Sequence, residues 1–268
     1  MGRFEDALKK AAKERKRTQK DQFEIPKTSE LNNSNIKLEP HLITHTQQKS
    51  FFADQYQSLR INIERKFKHK KSVSILLTSS SRGEGKTTTS INLAITLSRD
   101  IDTERVLLID GDIRKPSISS IFKLGNETGL TDVLLNKATL DQAINKDIFP
   151  KIDILSSGKV PENPTDLIHT KKLVPIFEFL NQNYEWILID SSPILLFSDS
   201  LSFVEVVNGI VFVIRSEKTS KPVIQRAIDT FPHDKILGYV INHVEYPIPN
   251  FIYRMFFGKM HGYDYYYY

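Results

Sequence analysis

The residues from Thr78 to Thr88 have the types and spacing to hold a phosphate group. They read Thr78-Ser79-Ser80-Ser81-Arg82-Gly83-Glu84-Gly85-Lys86-Thr87-Thr88. Before them runs an apolar stretch, Val73 to Leu77, and after them a helical pattern carried by Ile91, Leu93, Ala94, Ile95 and Leu97. Gly83 and Gly85 let the backbone approach phosphate oxygens, and the N–H groups of the loop and helix start bind the anion. Lys86 offsets the charge of β and γ phosphates, and the Thr87 hydroxyl can ligate Mg²⁺. The eight-residue form of this motif asks for glycine where Ser80 stands, so the match is to a variant. Ser81, Arg82, Gly83, Glu84, Gly85, Lys86, Thr87 and Thr88 form the candidate nucleotide-binding segment.

Carboxylates close two further apolar runs. Leu107-Leu108-Ile109 leads into Asp110-Gly111-Asp112-Ile113-Arg114, and Ile187-Leu188-Ile189 leads into Asp190-Ser191-Ser192-Pro193. Two acids one residue apart leave a strand tip on the same side, close enough to share a metal ion or to divide metal and proton work between them. An acid ending a buried strand behind a phosphate loop is the usual position for a group near Mg²⁺ and its water shell. Asp110, Asp112 and Asp190 are therefore candidate catalytic and metal-binding residues beside Lys86 and Thr87.

These positions need rigid elements behind them. Val73 to Leu77, Val106 to Ile109, Ile152 to Leu155, Trp186 to Ile189, Ile210 to Ile214 and Ile236 to Ile241 are short runs rich in Val, Ile and Leu, separated by helical or loop stretches. Apolar runs without alternation suit strands buried on both faces, which predicts an α/β fold with a mostly parallel sheet flanked by helices. Ligands of such sheets bind beyond the carboxyl ends of the strands, where the residues above fall. Upstream, Phe52, Tyr56, Leu59, Ile63 and Phe67 lie three or four apart and predict an amphipathic helix. Phe4, Ala7, Leu8, Ala11 and Ala12 predict a short basic helix, and residues from Thr18 to about Lys49 read as a linker. The expected organisation is residues 1–48 as helix and linker, 49–245 as the domain and 246–268 as a tail.

Composition narrows the function classes. The chain of 268 residues has no cysteine, which excludes disulfides, thiolate metal sites and a cysteine nucleophile, and a reducing compartment fits best. Its seven histidines lack ligand spacing. No apolar run approaches the roughly 20 residues of a membrane span, and no signal peptide or myristoylation pattern is visible, so a cytoplasmic location is expected. Residues 1–71 hold 17 Lys and Arg against 9 Asp and Glu, whereas the remainder holds 20 against 23. The basic excess of the N-terminal segment reads as a solvated charged helix and linker, or as attraction to an anionic membrane surface or acidic partner. Nucleic acid is not an expected partner, because the basic stretch lacks interleaved aromatics and any reader motif.

In this order the three elements resemble the variant Walker A, the Walker A′ (Asp-x-Asp-x-Arg) and the Walker B of the bacterial tyrosine kinases, P-loop autokinases of capsule and exopolysaccharide biosynthesis. The resemblance runs from about Phe51 to about Val244 and includes Phe197-Ser198-Asp199-Ser200, Val213 to Thr219 and Val240-Ile241-Asn242. It implies a P-loop NTPase fold, ATP with Mg²⁺, Arg215 and Asn242 near the ribose and adenine, and Asp110 and Asp112 sharing the roles of metal ligand and base, with Asp112 favoured as base. The family's interface motif Glu-x-x-Arg-x-x-Arg is here Asp54, Gln57 and Arg60, so its middle arginine is missing. Arg82 stands where proline is common in the family, and Ser191-Ser192 where Thr-Pro is frequent.

Half of the ten tyrosines lie in the last six residues, Tyr263-Asp264-Tyr265-Tyr266-Tyr267-Tyr268. A chain terminus is free to enter another molecule's site, so Tyr263, Tyr265, Tyr266, Tyr267 and Tyr268 are the expected phosphorylation sites. Each phosphate adds about −1.5 to −2 charges. The resemblance further implies a homo-oligomer that phosphorylates in trans, a membrane-spanning polysaccharide co-polymerase that activates the domain and recruits it to the inner face of the plasma membrane, and a tyrosine phosphatase. The competing reading is a dimerising switch ATPase of the division-site or partitioning type. Those proteins carry an extra P-loop lysine where Ser81 stands here. A noncatalytic nucleotide-binding scaffold is the third reading, opposed by the retention of Lys86, Thr87, Asp110, Asp112 and Asp190.

Overall fold

The computed structural model describes residues 42–125, 128–169 and 171–244. The expected basic N-terminal helix, most of the linker and the tyrosine tail lie outside the described residues. Seven strands form one sheet: β1 (Val73–Ser79), β2 (Val106–Asp110), β3 (Ile144–Phe149), β4 (Ile152–Leu155), β5 (Trp186–Asp190), β6 (Gly209–Arg215) and β7 (Ile236–Asn242). Their order is β3-β4-β2-β5-β1-β6-β7, and every neighbouring pair is parallel except β3 with β4. The helices are α1 (Ile43–Thr46), α2 (Phe51–Lys66), α3 (Lys86–Ser98), α4 (Ile118–Ile121), α5 (Leu130–Leu134), α6 (Leu140–Ala143), α7 (Pro164–Ile168), α8 (Leu173–Asn183) and α9 (Lys221–Ile228).

The central strands are buried along their whole length, as unalternating apolar runs require. Successive side chains still point to opposite faces, and this divides the core in two. Leu76, Leu107, Ile109, Ile187, Ile189 and Phe212 pack with α8 and α9, while Ile75, Leu77, Val106, Leu108, Leu188 and Val211 pack with α2 and α3. Eleven of the thirteen residues of α3 are buried, so the helix that begins at the phosphate loop is held on all sides. In α2 the Ser50 hydroxyl accepts a hydrogen bond from the Ala53 N–H at 3.2 Å, an N-cap, and Ile63 of the predicted stripe faces the core.

Three features differ from the sequence reading or add to it. The segment assigned to the linker is already packed from Leu42: Leu42 is buried, and Thr44 donates from its N–H and its hydroxyl to Asn92 Oδ1 of α3 at 3.0 and 2.9 Å. A four-residue helix is too short to show a period. β3 was not among the expected strands, because Ile-Asn-Lys-Asp-Ile-Phe is an edge strand buried mainly at its two ends. Arg60, at the interface motif, is occupied within its own chain by Gln57, Glu64 and Asp100.

Candidate active site

Sheet register sets the site. β2 and β5 are adjacent and parallel with Asp110 opposite Asp190, and β5 pairs with β1 so that Asp190 lies opposite Leu77, just before the phosphate loop. Lys86, Thr87, Asp110, Asp112 and Asp190, chosen from three separate stretches of sequence, are thereby brought to one end of the sheet. The Thr87 hydroxyl donates to Asp190 Oδ2 at 2.5 Å, and the Ser90 hydroxyl reaches Asp190 Oδ1 at 3.4 Å. Asp110 Oδ2 accepts from the N–H groups of Ser117 and Ile118 at the start of α4, both at 2.9 Å. Gly111 stands between Asp110, the last residue of β2, and Asp112 beyond it, where a Cβ would lie 2.9 Å from Ile189 Cγ2 and 3.0 Å from the Asp190 carbonyl.

Burial pushes the Asp110 carboxyl up to about 7, helped by the neighbouring Asp190 charge and opposed by the two backbone donors. Burial also raises Asp190, to about 6, against the pull of Lys86 and the Thr87 hydroxyl. Asp112 is only partly buried; desolvation raises it and the Lys115 N–H and Lys86 pull it down. The three acids thus divide into two enclosed carboxylates and one that solvent reaches.

Five buried side-chain polar atoms have no hydrogen-bond partner among the described residues: Ser80 Oγ, Asp110 Oδ1, Ser156 Oγ, Ser157 Oγ and Ser192 Oγ. All lie within two residues of the carboxyl ends of β1, β2, β4 and β5. Unpaired buried polar atoms are costly, and their gathering at one end of the sheet marks where a polar ligand belongs. Among the described residues no three His, Asp or Glu side chains form a metal cage. Mg²⁺ takes one or two protein oxygens and completes its shell with water and phosphate. Thr87, Asp190 and the free oxygen of Asp110 fit this requirement.

The loop is braced from inside. Glu84 is fully buried, accepting from the Ser81 N–H at 2.7 Å through Oε2 and from the Thr219 hydroxyl at 2.6 Å through Oε1. The Glu84 side chain and the Ser81 amide, both within the candidate nucleotide-binding segment, are thus bonded to each other inside the loop. Arg215 Nη1 lies 3.4 Å from the Gly83 carbonyl, and Asn242 Nδ2 donates to the Glu84 carbonyl at 2.9 Å and to Thr89 Oγ1 at 3.3 Å. Both residues expected near the base and ribose therefore touch the phosphate loop itself. Lys218 Nζ adds a bond to the Arg82 carbonyl at 2.7 Å.

The rim is completed by Arg114, Phe197 and Asp199, which the quoted motifs include, and by Thr165, Ser156 and Ser157, which they do not. Arg114 pairs with Asp199 at 2.6 Å through Nε, bonds Thr165 Oγ1 at 2.5 Å and stacks on Phe197 at 4.4 Å from the ring centroid. Ser156 and Ser157 follow β4, where only a register argument from β2 could have placed them.

Known proteins resemble this chain along most of its length. The family model described as AAA domain matches residues 73–231. The tyrosine-protein kinase YwqD of Bacillus subtilis is 34% identical over 212 residues, covering 78% of this chain and 89% of that protein. The putative tyrosine-protein kinase CapB of Staphylococcus aureus is 33% identical over 221 residues, covering 81% of this chain and 95% of its own. Among solved structures, the chimerical protein CapA2B2 superposes with a TM-score of 0.71 at 30% identity, over 82% of this chain and 98% of that one.

Proposed function

The chain belongs to the bacterial tyrosine-protein kinases of the P-loop class, and from that membership we propose that it uses MgATP to phosphorylate tyrosines at its own C-terminus, Tyr263 and Tyr265 to Tyr268, in a neighbouring copy. The observation that carries the reading is the set of unpartnered polar atoms at the carboxyl ends of β1, β2, β4 and β5, beside the Thr87–Asp190 hydrogen bond. Such a site is built for an oxygen-rich ligand with a cation.

Thr87, Asp190 and Asp110 would hold Mg²⁺, directly or through water, and the ion supplies charge neutralisation on the phosphate oxygens. Lys86 and the amides of Arg82 to Thr88 hold and orient the terminal phosphoryl group. Asp112 takes the proton of the incoming phenol as its oxygen bonds to the γ-phosphorus and the bond to the leaving ADP oxygen breaks. Its partial exposure leaves it within reach of an incoming phenol, and desolvation raises its pKa, the direction that makes a carboxylate a stronger base. Asp110, held by two backbone donors, is the better metal ligand.

The names of the relatives extend the reading to regulation. A putative kinase named CapB and a chimera named CapA2B2 support a role in capsular or exopolysaccharide synthesis, and to this the proposal adds a membrane-spanning activator that draws the domain to the inner face of the membrane. No helix among the described residues is long and apolar enough to cross a membrane. A tyrosine phosphatase would reset the tail. The test is Lys86→Met: phosphotyrosine, read by mass spectrometry after incubation with MgATP, falls by about 10²-fold or more, as for loss of an electrostatic contact to the transition state. Unchanged labelling refutes the site, and wild-type protein that releases only inorganic phosphate refutes the kinase reading.

A further inference from the structure

Two guanidinium groups stand over the Phe197 ring. Arg114 stacks on its ring at 4.4 Å and Arg82 stands 5.5 Å from the same centroid. The two arginines are not equivalent. Arg114 is committed to Asp199 and Thr165, whereas the exposed Arg82 side chain has no hydrogen bond or ion pair among the described residues. Its backbone is nonetheless fixed by Lys218. A guanidinium poised over a ring by a cation–π contact, on an anchored loop, is a preorganised receptor for an anion.

What lies around it points to the kind of anion. Arg114 is two residues from Asp112, whose backbone carbonyl and carboxylate both accept from the Lys115 N–H, so the stacked ring adjoins the turn that carries the proposed base. Leu195 and Leu196, immediately before Phe197, are large apolar side chains left 36% and 50% exposed. An acceptor whose phenol reaches Asp112 lays its neighbouring residues along this strip of leucine, phenylalanine and arginine. The tail has the matching chemistry: aromatic residues interrupted by Asp264 and, after a first transfer, by phosphate.

We propose that Arg82, presented by Phe197 and backed by Arg114, binds an anionic residue next to the acceptor tyrosine, either an aspartate or a phosphotyrosine. This rests on the kinase reading. Its consequence is that the first phosphorylation of the cluster promotes the next, against the repulsion expected of accumulating negative charge. Arg82 is then a specificity-determining residue whose guanidinium acts on the acceptor, separate from the amide that faces the nucleotide.

The test supplies full-length protein and MgATP with three peptides of the tail sequence: unmodified, phosphorylated at Tyr263, and carrying Asp264→Asn. Wild-type kcat/KM favours the phosphopeptide over the unmodified one, and the unmodified one over the asparagine form, each by about three- to fivefold, the scale of an exposed ion pair. In Arg82→Gln both ratios collapse towards one, whatever happens to the absolute rate, and fluorescent-nucleotide titration reports any change in the loop separately. Loss of only one ratio identifies carboxylate or phosphate as the recognised group and upholds the site. Phe197→Leu, which removes the ring under Arg82, gives the same loss of preference and serves if Arg82→Gln does not fold. Equal rates on all three peptides with wild-type protein, or ratios that survive in both variants, overturn the proposal while leaving the kinase reading intact. No tyrosine labelling of any peptide or of the tail overturns both.

Discussion

Gly83 and Gly85 both have positive φ, +74° and +95°, yet alanine at the two positions is expected to have very different consequences. Forcing an L-residue into the left-handed region costs about 1–2 kcal/mol, partly offset by the reduced freedom of the unfolded chain. At Gly83 little more is added, because the nearest atom to a new Cβ is Lys218 Nζ at 3.0 Å, the far end of a flexible side chain. At Gly85 the Cβ would stand 2.4 Å from Asn242 Nδ2. Asn242 must then move and give up its hydrogen bonds to the Glu84 carbonyl and to Thr89. Two such bonds are together worth about 2 kcal/mol. Gly83→Ala is thus expected to destabilise by about 1 kcal/mol and Gly85→Ala by about 3, which for a domain of this size lowers the melting temperature by about 2–4 °C and about 6–12 °C respectively. Urea unfolding followed by circular dichroism measures both. The same reasoning makes the two sites non-additive: in an Asn242→Ala background, Gly85→Ala should cost only about 1 kcal/mol, a coupling of about 2. Equal unfolding midpoints for the two glycine variants, or a Gly85→Ala penalty that Asn242→Ala leaves unchanged, would refute the clash.

Three further outcomes are expected. Asp112→Asn should lower tyrosine phosphorylation by about 10²-fold, the usual contribution of a general base, while nucleotide affinity changes far less; a parallel loss of both, by titration and phosphotyrosine assay, would remove Asp112 from the proton transfer. Asp110 and Asp190 have folded-state pKa values raised above the ordinary carboxylate range, so their contribution to stability is full below about pH 4 and is lost as pH rises through about 6 to 7. Asp110→Asn should therefore raise the melting temperature of metal-free, nucleotide-free protein more at pH 8 than at pH 5, and a difference independent of pH would contradict the burial argument. Leu42→Ala should destabilise by about 2–5 kcal/mol, since the side chain is buried in the core over α3; a cost below about 0.5 kcal/mol in denaturant unfolding would return this residue to the linker.

What was legible in the sequence was what depends on short-range pattern. The runs ending at Leu77, Ile109 and Ile189 became central strands because burial on both faces leaves no polar alternation, and their order put Asp110 and Asp190 side by side. Lys86 and Thr87 were readable for the same reason, as a loop caught between a buried strand and a buried helix. The rest is made by residues distant in sequence. Asn242 reaches Glu84 and Thr89 across more than 150 positions, and Arg114 finds Asp199 across 85. No local propensity encodes such pairs. Glu84 was assigned to the nucleotide from its place in the motif, but its neighbour in space is Thr219, which only the packing of the β6–α9 connection reveals.

The buried carboxylate of Glu84 fastens one flank of the loop to that connection, and Asn242 and Lys218 fasten two more points. A cradle clasped in this way is already shaped before its guest arrives, so little binding energy goes into ordering it and more is left for affinity. The clasp also ties the grip on the phosphate to the segment after β6, and a disturbance there would be felt at the phosphate without any change in the residues that touch it.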